Sequence, residues 1–211
     1  MRVKVCGITS YEDAVMALDQ GVDALGFNFF PRSPRYISPL GARTIIQRLP
    51  PFVNSVGLFV NVPEQDEVFE IARAAGIQVL QLHGDESPEY CGRLSGWPLI
   101  KAVRIGKNRI EENLKAYPVQ AFLLDSKDDI LFGGTGKSFD WERALEVKKI
   151  RPVILAGGLR PDNVGEAIRA VMPYAVDVCS GVESTPGKKN RKKMEEFMNE
   201  VRNVSDFLQR P

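Results

Sequence analysis

The chain has 211 residues, 44% hydrophobic and 26% charged, with a formal net charge of +1. That balance is ordinary for a globular protein and gives no bulk electrostatic reason to bind nucleic acid or an anionic membrane. A single histidine, His83, excludes a multi-histidine metal centre. The three scattered cysteines (Cys6, Cys91, Cys179) form no CxxC pair, so they fit a reducing cytoplasm rather than a disulfide framework or a zinc site.

No stretch approaches the ~20 apolar residues of a membrane helix, and the opening Met1-Arg2-Val3-Lys4-Val5 has no signal-peptide core. Short β-branched runs recur along the chain, each followed by a helical pattern. Val3 to Cys6 reads as the first strand. A glycine turn follows it, then Thr9 as the expected cap of a helix through Ala14-Val15-Ala17-Leu18. Ala24 to Phe29 precedes a helix near Ala42 to Leu49, and Ser55 to Val60 precedes one from Glu64 to Ala75. Ile77 to Leu82 leads to Pro88–Leu94, and Pro98 to Val103 to a helix near Ile110 to Ala116. Val119 to Leu124 is followed by a long loop and a helix from about Asp140. Pro152 to Leu155 leads to a helix from Pro161, and Ala175 to Val178 to the last helix. Strands of about five residues alternating with longer helices imply parallel βαβ units. Eight such units predict a (β/α)8 TIM barrel, an α/β fold, as one domain spanning 1–211. The alternative is an open doubly wound sheet, but the first turn holds a lone glycine in Cys6-Gly7-Ile8-Thr9 where a glycine fingerprint is expected.

Side chains alternate along a strand. If Val3 and Val5 face the helices, Lys4 and Cys6 point into the barrel, with Cys6 uppermost. By the same parity Leu123 and Asp125 point inward, so a thiol and a carboxylate converge on the catalytic rim. Each has a plain reading too, as a buried cysteine and as a loop cap. Glycine turns after the seventh and eighth strands, Gly157-Gly158 and Ser180-Gly181, suit phosphate binding through backbone N–H groups. Gly136-Lys137-Ser138 imitates a P-loop, but its first glycine would fall at Leu131; the loop around Gly133-Gly134 reads instead as a wall or lid. Arg32 and Arg35, in a proline-stiffened loop, suit a carboxylate or phosphate. His83 ends the fourth strand at the same rim. Lys188 to Lys193 reads as a solvated basic face, and Met194, Phe197, Met198 and Val201 as the packing stripe of the final helix.

These motifs, in this order, resemble the phosphoribosylanthranilate isomerase family. The likeness rests on Lys4-Val5-Cys6-Gly7-Ile8-Thr9, Gly26-Phe27 with Ser33-Pro34-Arg35, Gln81-Leu82-His83-Gly84 and Leu124-Asp125-Ser126. It continues through Gly133-Gly134-Thr135-Gly136, Leu155-Ala156-Gly157-Gly158-Leu159 and Val176-Asp177-Val178 with Ser180-Gly181-Val182-Glu183. Cys179 departs from the pattern, where serine is more usual. The resemblance implies an Amadori rearrangement of N-(5-phosphoribosyl)anthranilate in tryptophan biosynthesis. Asp125 would be the general acid, Cys6 the general base, and Arg35 the partner of the anthranilate carboxylate. His83 and Asp177 would contact substrate, and Gly134, Gly157, Gly158, Ser180 and Gly181 the phosphate. It implies a small-molecule substrate and no cofactor, because the substrate's own iminium serves as electron sink. A homodimer is a candidate assembly that no residue pattern argues. A thiol acting as base must ionise near neutrality, and Lys4 on the same strand face is the expected helper. The rival readings are another phosphosugar isomerase or lyase on the same barrel, and a non-catalytic barrel that only binds phosphorylated ligands.

Overall fold

A computed structural model of the chain describes residues 1–104, 113–125 and 141–208. Eight parallel strands close on themselves in sequence order. They are β1 (Arg2–Cys6), β2 (Ala24–Asn28), β3 (Asn54–Phe59), β4 (Val79–Leu82), β5 (Leu99–Arg104), β6 (Ala121–Asp125), β7 (Val153–Leu155) and β8 (Ala175–Val178). The closing pair sets Arg2 against Ala175, Lys4 against Asp177 and Val5 against Val178. Helices follow the strands as α1 (Tyr11–Asp19), α2 (Pro39–Ile46), α3 (Gln65–Ala75), α4 (Pro88–Arg93), α5 (Trp141–Lys148), α6 (Val164–Val171) and α7 (Arg191–Leu208).

Two apolar layers follow from strand parity. Val3, Val5, Leu25, Phe27, Phe122 and Leu124 pack outward against the helices. Val56, Ile100, Ala102, Ala121, Leu123, Ile154 and Ala175 fill the barrel. The helix starts have local causes. Ser38 and Ser87 accept hydrogen bonds from Gly41 N and Tyr90 N, and a proline follows each at the first helical position, where no N–H is needed. Met194, Phe197, Met198, Val201 and Val204 bury the inner stripe of α7.

Four expectations are corrected. Thr9 does not cap α1. Its hydroxyl donates to Gly187 O at 2.6 Å, and Ser10 caps by accepting from Asp13 N. The helix expected near Ile110 to Ala116 is a 3-10 turn over Leu114–Ala116, its first part lying outside the described residues. α6 begins at Val164 rather than Pro161, because Asn163 bridges Arg160 N and Gly158 O and holds the preceding residues in a turn. The basic run is not wholly a solvated face. Glu183–Thr185 (β9) and Lys188–Lys189 (β10) form a small antiparallel hairpin that buries Lys189 at the rim.

Candidate active site

The inward positions at the C-terminal ends of the strands line one cavity of about 280 Å³. Cys6 comes from β1, Asn28 from β2, Leu58 from β3, Gln81 from β4 and Asp125 from β6. His83 follows β4, Ala156 follows β7, Asp177 lies on β8 and Cys179 just after it, with Gly157, Gly158, Leu159, Ser180 and Arg35 completing the wall. Most predicted site residues therefore meet in one place. Gly181 does not line the cavity, and Gly134 lies outside the described residues.

The thiol of Cys6 sits where β1 turns at Gly7. Space for it exists because Gly26, beside it on β2, has no side chain. A Cβ there would lie 2.8 Å from Cys6 Sγ and 3.1 Å from Lys4 Nζ. Cys6 is 5% exposed, and burial alone would raise its pKa. The opposite happens. A hydrogen bond from Cys179 is the strongest influence, with Lys4 and Lys189 adding their positive charges, and together they hold Cys6 well below the ordinary thiol range. Cys179 is correspondingly pushed far up by the same contact and by burial, so it is the protonated partner.

Lys4 donates to Asp177 Oδ1 at 2.9 Å deep in the barrel. Burial would lower the lysine, but Asp177 and Cys6 together raise it, and it stays charged. Burial pushes Asp177 up to about 7 against the pull of Lys4. Lys189 Nζ reaches Cys6 O at 2.6 Å, Glu183 Oε1 at 2.9 Å and Cys179 O at 3.4 Å. Arg35 forks onto Glu183, with Nε to Oε1 at 2.9 Å and Nη2 to Oε2 at 2.6 Å, while its Nη1 makes no hydrogen bond among the described residues. Burial works against ionisation of Glu183, but Arg35 and Lys189 win and keep it below the usual carboxylate range. The loop carrying Arg35 is tied down by Ser33 Oγ, which accepts from Asn28 Nδ2 and Arg35 N.

Across the mouth, His83 Nε2 lies 3.1 Å from Asp125 Oδ2, and Gln81 Nε2 lies 3.0 Å from His83 Nδ1. As placed, the amide donates to Nδ1, which makes the imidazole Nε2–H the donor to Asp125. The glycine turns meet at the third side. Gly157 and Gly158 adopt φ of 78° and 69°, and Ser180–Val182 forms a 3-10 turn. A Cβ on Gly181 would lie 1.9 Å from Leu159 O. Gly181 thus locks the two turns together rather than facing a ligand.

Sequence reading missed Glu183, Lys189 and Gln81 as site residues, and treated Cys179 only as a departure from a motif. Continuing the strand parity of β8 by two residues from Asp177 would have found Cys179. No local pattern marks Lys189.

A closed (β/α)8 barrel with a thiol, a carboxyl and glycine turns at its C-terminal rim defines an acid–base enzyme for a phosphorylated small molecule. The profile of the N-(5'phosphoribosyl)anthranilate (PRA) isomerase family matches residues 3–200. The N-(5'-phosphoribosyl)anthranilate isomerase of Geobacter sp. (strain M21) is 50% identical over 204 residues, covering 97% of this chain and 99% of its own. A phosphoribosyl anthranilate isomerase solved with reduced 1-(o-carboxyphenylamino)-1-deoxyribulose 5-phosphate superposes with a TM-score of 0.85. It is 41% identical and covers 96% of this chain and 99% of that one. Monomers generated from a dimeric phosphoribosylanthranilate isomerase of Thermotoga maritima give a TM-score of 0.84 and 39% identity, over 96% of this chain and 98% of that one. The chain belongs to the N-(5'-phosphoribosyl)anthranilate isomerase family.

Proposed function

We propose that the protein catalyses the Amadori rearrangement of N-(5'-phosphoribosyl)anthranilate to 1-(2-carboxyphenylamino)-1-deoxyribulose 5-phosphate, an aldose–ketose isomerisation in tryptophan biosynthesis. The observation that carries the reading is the convergence of Cys6 and Asp125, from non-adjacent strands, on one cavity closed on a third side by the glycine turns.

Asp125 is the general acid. Its Oδ2 is engaged by His83, which leaves Oδ1 to deliver the proton to the ribose ring oxygen and open the ring to an iminium. The Cys6 thiolate then removes the proton from C2. The electrons flow into the iminium, and the resulting enolamine tautomerises to the ketone. The two groups share one mouth in different surroundings, with Lys4 and Lys189 around Cys6 and His83 on Asp125. Arg35 contributes its Nη1 edge to the anthranilate carboxylate, with Glu183 fixing the plane of the guanidinium. Gly157, Gly158 and Ser180 present backbone N–H groups to the phosphate, with Gly181 holding the two turns in place. His83 orients Asp125. Asp177 lines the cavity toward the substrate and is held by Lys4.

We assign the activity to one catalytic domain over 1–211 working in the cytoplasm, with light scattering to decide whether it assembles as a homodimer. Turnover of phosphoribosylated anthranilate, read by anthranilate fluorescence on purified protein, tests the central assignment. Cys6→Ser and Asp125→Asn should each lower kcat by roughly 10²–10⁴-fold, the usual share of one proton transfer. Near-normal turnover in either variant refutes its assigned role.

A further inference from the structure

The β1–β8 pairing runs Lys4 to Asp177 and Val5 to Val178. One residue further, that register sets Cys6 against Cys179. Parity turns both side chains to the same inward side, and both line the cavity. Neighbouring strands lie about 4.7–4.9 Å apart, inside the ~4.4–6.8 Å Cα separation that a disulfide accepts. Each thiol perturbs the ionisation of the other, Cys6 downward and Cys179 upward, and Cys179 Sγ lies 3.8 Å from Glu183 Oε1. A Cβ built on Gly7 would lie 3.2 Å from Cys179 Sγ, which puts this second sulfur over the turn that carries Cys6.

We propose that Cys6 and Cys179 form a reversible redox modification site, in which a hydroperoxide oxidises Cys6 and Cys179 closes a disulfide across the β1–β8 seam. The inference rests on the reading of Cys6 as the catalytic base. It adds a function to Cys179, which the isomerisation does not consume.

The chemistry balances. The Cys6 thiolate attacks one peroxide oxygen, an S–O bond forms, the O–O bond breaks, and hydroxide (or an alkoxide) leaves. Cys6 is now a sulfenic acid. Cys179 sulfur attacks the Cys6 sulfur, the S–O bond breaks, and the Cys179 proton leaves with that oxygen as water. Two thiols supply the two electrons that reduce the peroxide, and an external dithiol returns them. Two features assign the order. Lys4, beneath Cys6, favours its thiolate, the form that attacks peroxide, whereas Cys179, with Sγ 4.0 Å from Lys189 Nζ and 3.8 Å from Glu183 Oε1, keeps its proton until the second step. The third cysteine, Cys91, is fully buried in α4 and lines no part of the cavity. The seam strands are paired as far as Val5 and Val178, one residue before the two cysteines. The disulfide would consume the base, so oxidation and turnover exclude each other.

The test treats the full chain with hydrogen peroxide in the absence of substrate and follows intact mass, free thiols, non-reducing peptide maps and turnover. The expected product has lost two of its three thiols, is lighter by two hydrogens and carries a Cys6–Cys179 linked peptide. Its turnover is at least ~100-fold lower and returns with dithiothreitol. In Cys179→Ser no lighter species forms. Excess peroxide carries Cys6 on to the sulfinic acid, two oxygens heavier, and dithiothreitol does not restore that variant's own starting rate. Cys91→Ser should behave as the parent. A parent protein that gains oxygen without ever losing two hydrogens, or whose linked peptide contains Cys91, overturns the proposal. A Cys6–Cys179 disulfide that leaves turnover unchanged supports the redox site and instead overturns Cys6 as the base.

Discussion

Replacing Lys4 by Met removes one charge from beneath the thiol and keeps the length of the side chain. In the parent, Lys4 Nζ holds Asp177 Oδ1 at 2.9 Å and its charge lowers the pKa of the Cys6 thiol. Unit charges ~4 Å apart attract by about 4 kcal/mol at an effective dielectric near 20. About 1.36 kcal/mol equals one pKa unit, so complete loss is worth about 3 units. The Cys179 hydrogen bond, the largest influence on Cys6, and the charge of Lys189 both survive the change. Asp177, already pushed up to about 7 by burial, takes a proton when its lysine is gone, so no bare carboxylate is left to repel the thiolate. The expected rise in the Cys6 pKa is therefore about 1–3 units. The sign follows from the role. A base acts deprotonated, so activity falls as pH drops through its pKa, and raising that pKa moves the acid limb to higher pH. Profiles of kcat/KM against pH, with alkylation rates of Cys6 over the same range, measure the shift. Lys4→Met/Asp177→Asn should show the same shift with a neutral, sterically matched pair, which separates charge from misfolding. An acid limb at the parent's pH in both variants refutes the electrostatic argument.

Other substitutions probe the remaining supports. Gly181→Ala puts a methyl group 1.9 Å from Leu159 O, so the two turns must part; KM for the phosphorylated substrate and the inhibition constant of inorganic phosphate should both rise at least ~10-fold, since each charge-assisted bond contributes about 1.5–3 kcal/mol. Arg35→Met should raise KM with a smaller effect on kcat, and should abolish competition by free anthranilate. Lys101→Met strands Glu86, its fully buried partner at 3.1 Å, and should cost about 3–5 kcal/mol in urea unfolding; a loss under ~1 kcal/mol would show that the pair is dispensable.

The features legible in the sequence are those set by nearby residues. Strand parity is a period of two, so the apolar neighbours of Cys6 and Asp125 are enough to aim both side chains at the barrel mouth. Ser87-Pro88 marks a helix start within one turn, whereas α2 begins at Pro39 after the Ser38 cap, three residues before the expected Ala42. Position 9 shows where that reasoning fails. Thr9 and Ser10 are both competent caps, and the choice is made by Gly187, whose carbonyl takes the Thr9 hydroxyl from 178 residues away. Lys189 fails for the same reason. In the sequence it is one base among several; in the fold a two-residue strand turns it inward onto Glu183 while Lys188 stays exposed. Cys179 meets Cys6 only through the register that closes the barrel, and no local pattern states that register.

The buried charges on the two sides of the cavity explain why one mouth can hold both an acid and a base. On the β1–β8 side, Lys4, Lys189 and Arg35 face two carboxylates, Asp177 and Glu183. With Asp177 pushed up to about 7, at least one positive charge is left over, and the Cys6 thiolate is an anion that offsets it. Burying such a cluster is costly, and an apolar core would serve stability as well or better, so its retention points to the thiol it surrounds. On the β4–β6 side the carboxyl meets an imidazole instead. Asp125 pairs with His83, and no lysine or arginine among the described residues bonds to it. Exchanging these surroundings should exchange the preferences. A lysine placed at Gln81, inward on β4 one inward position below His83, would remove the amide that holds His83 Nδ1 and bring an ammonium toward Asp125. Gln81→Lys should then lower kcat as the acid side is disturbed, with the Cys6 alkylation profile unchanged. If kcat is retained while the Cys6 profile moves, the division of the mouth into a lysine-lined base side and a histidine-paired acid side is wrong.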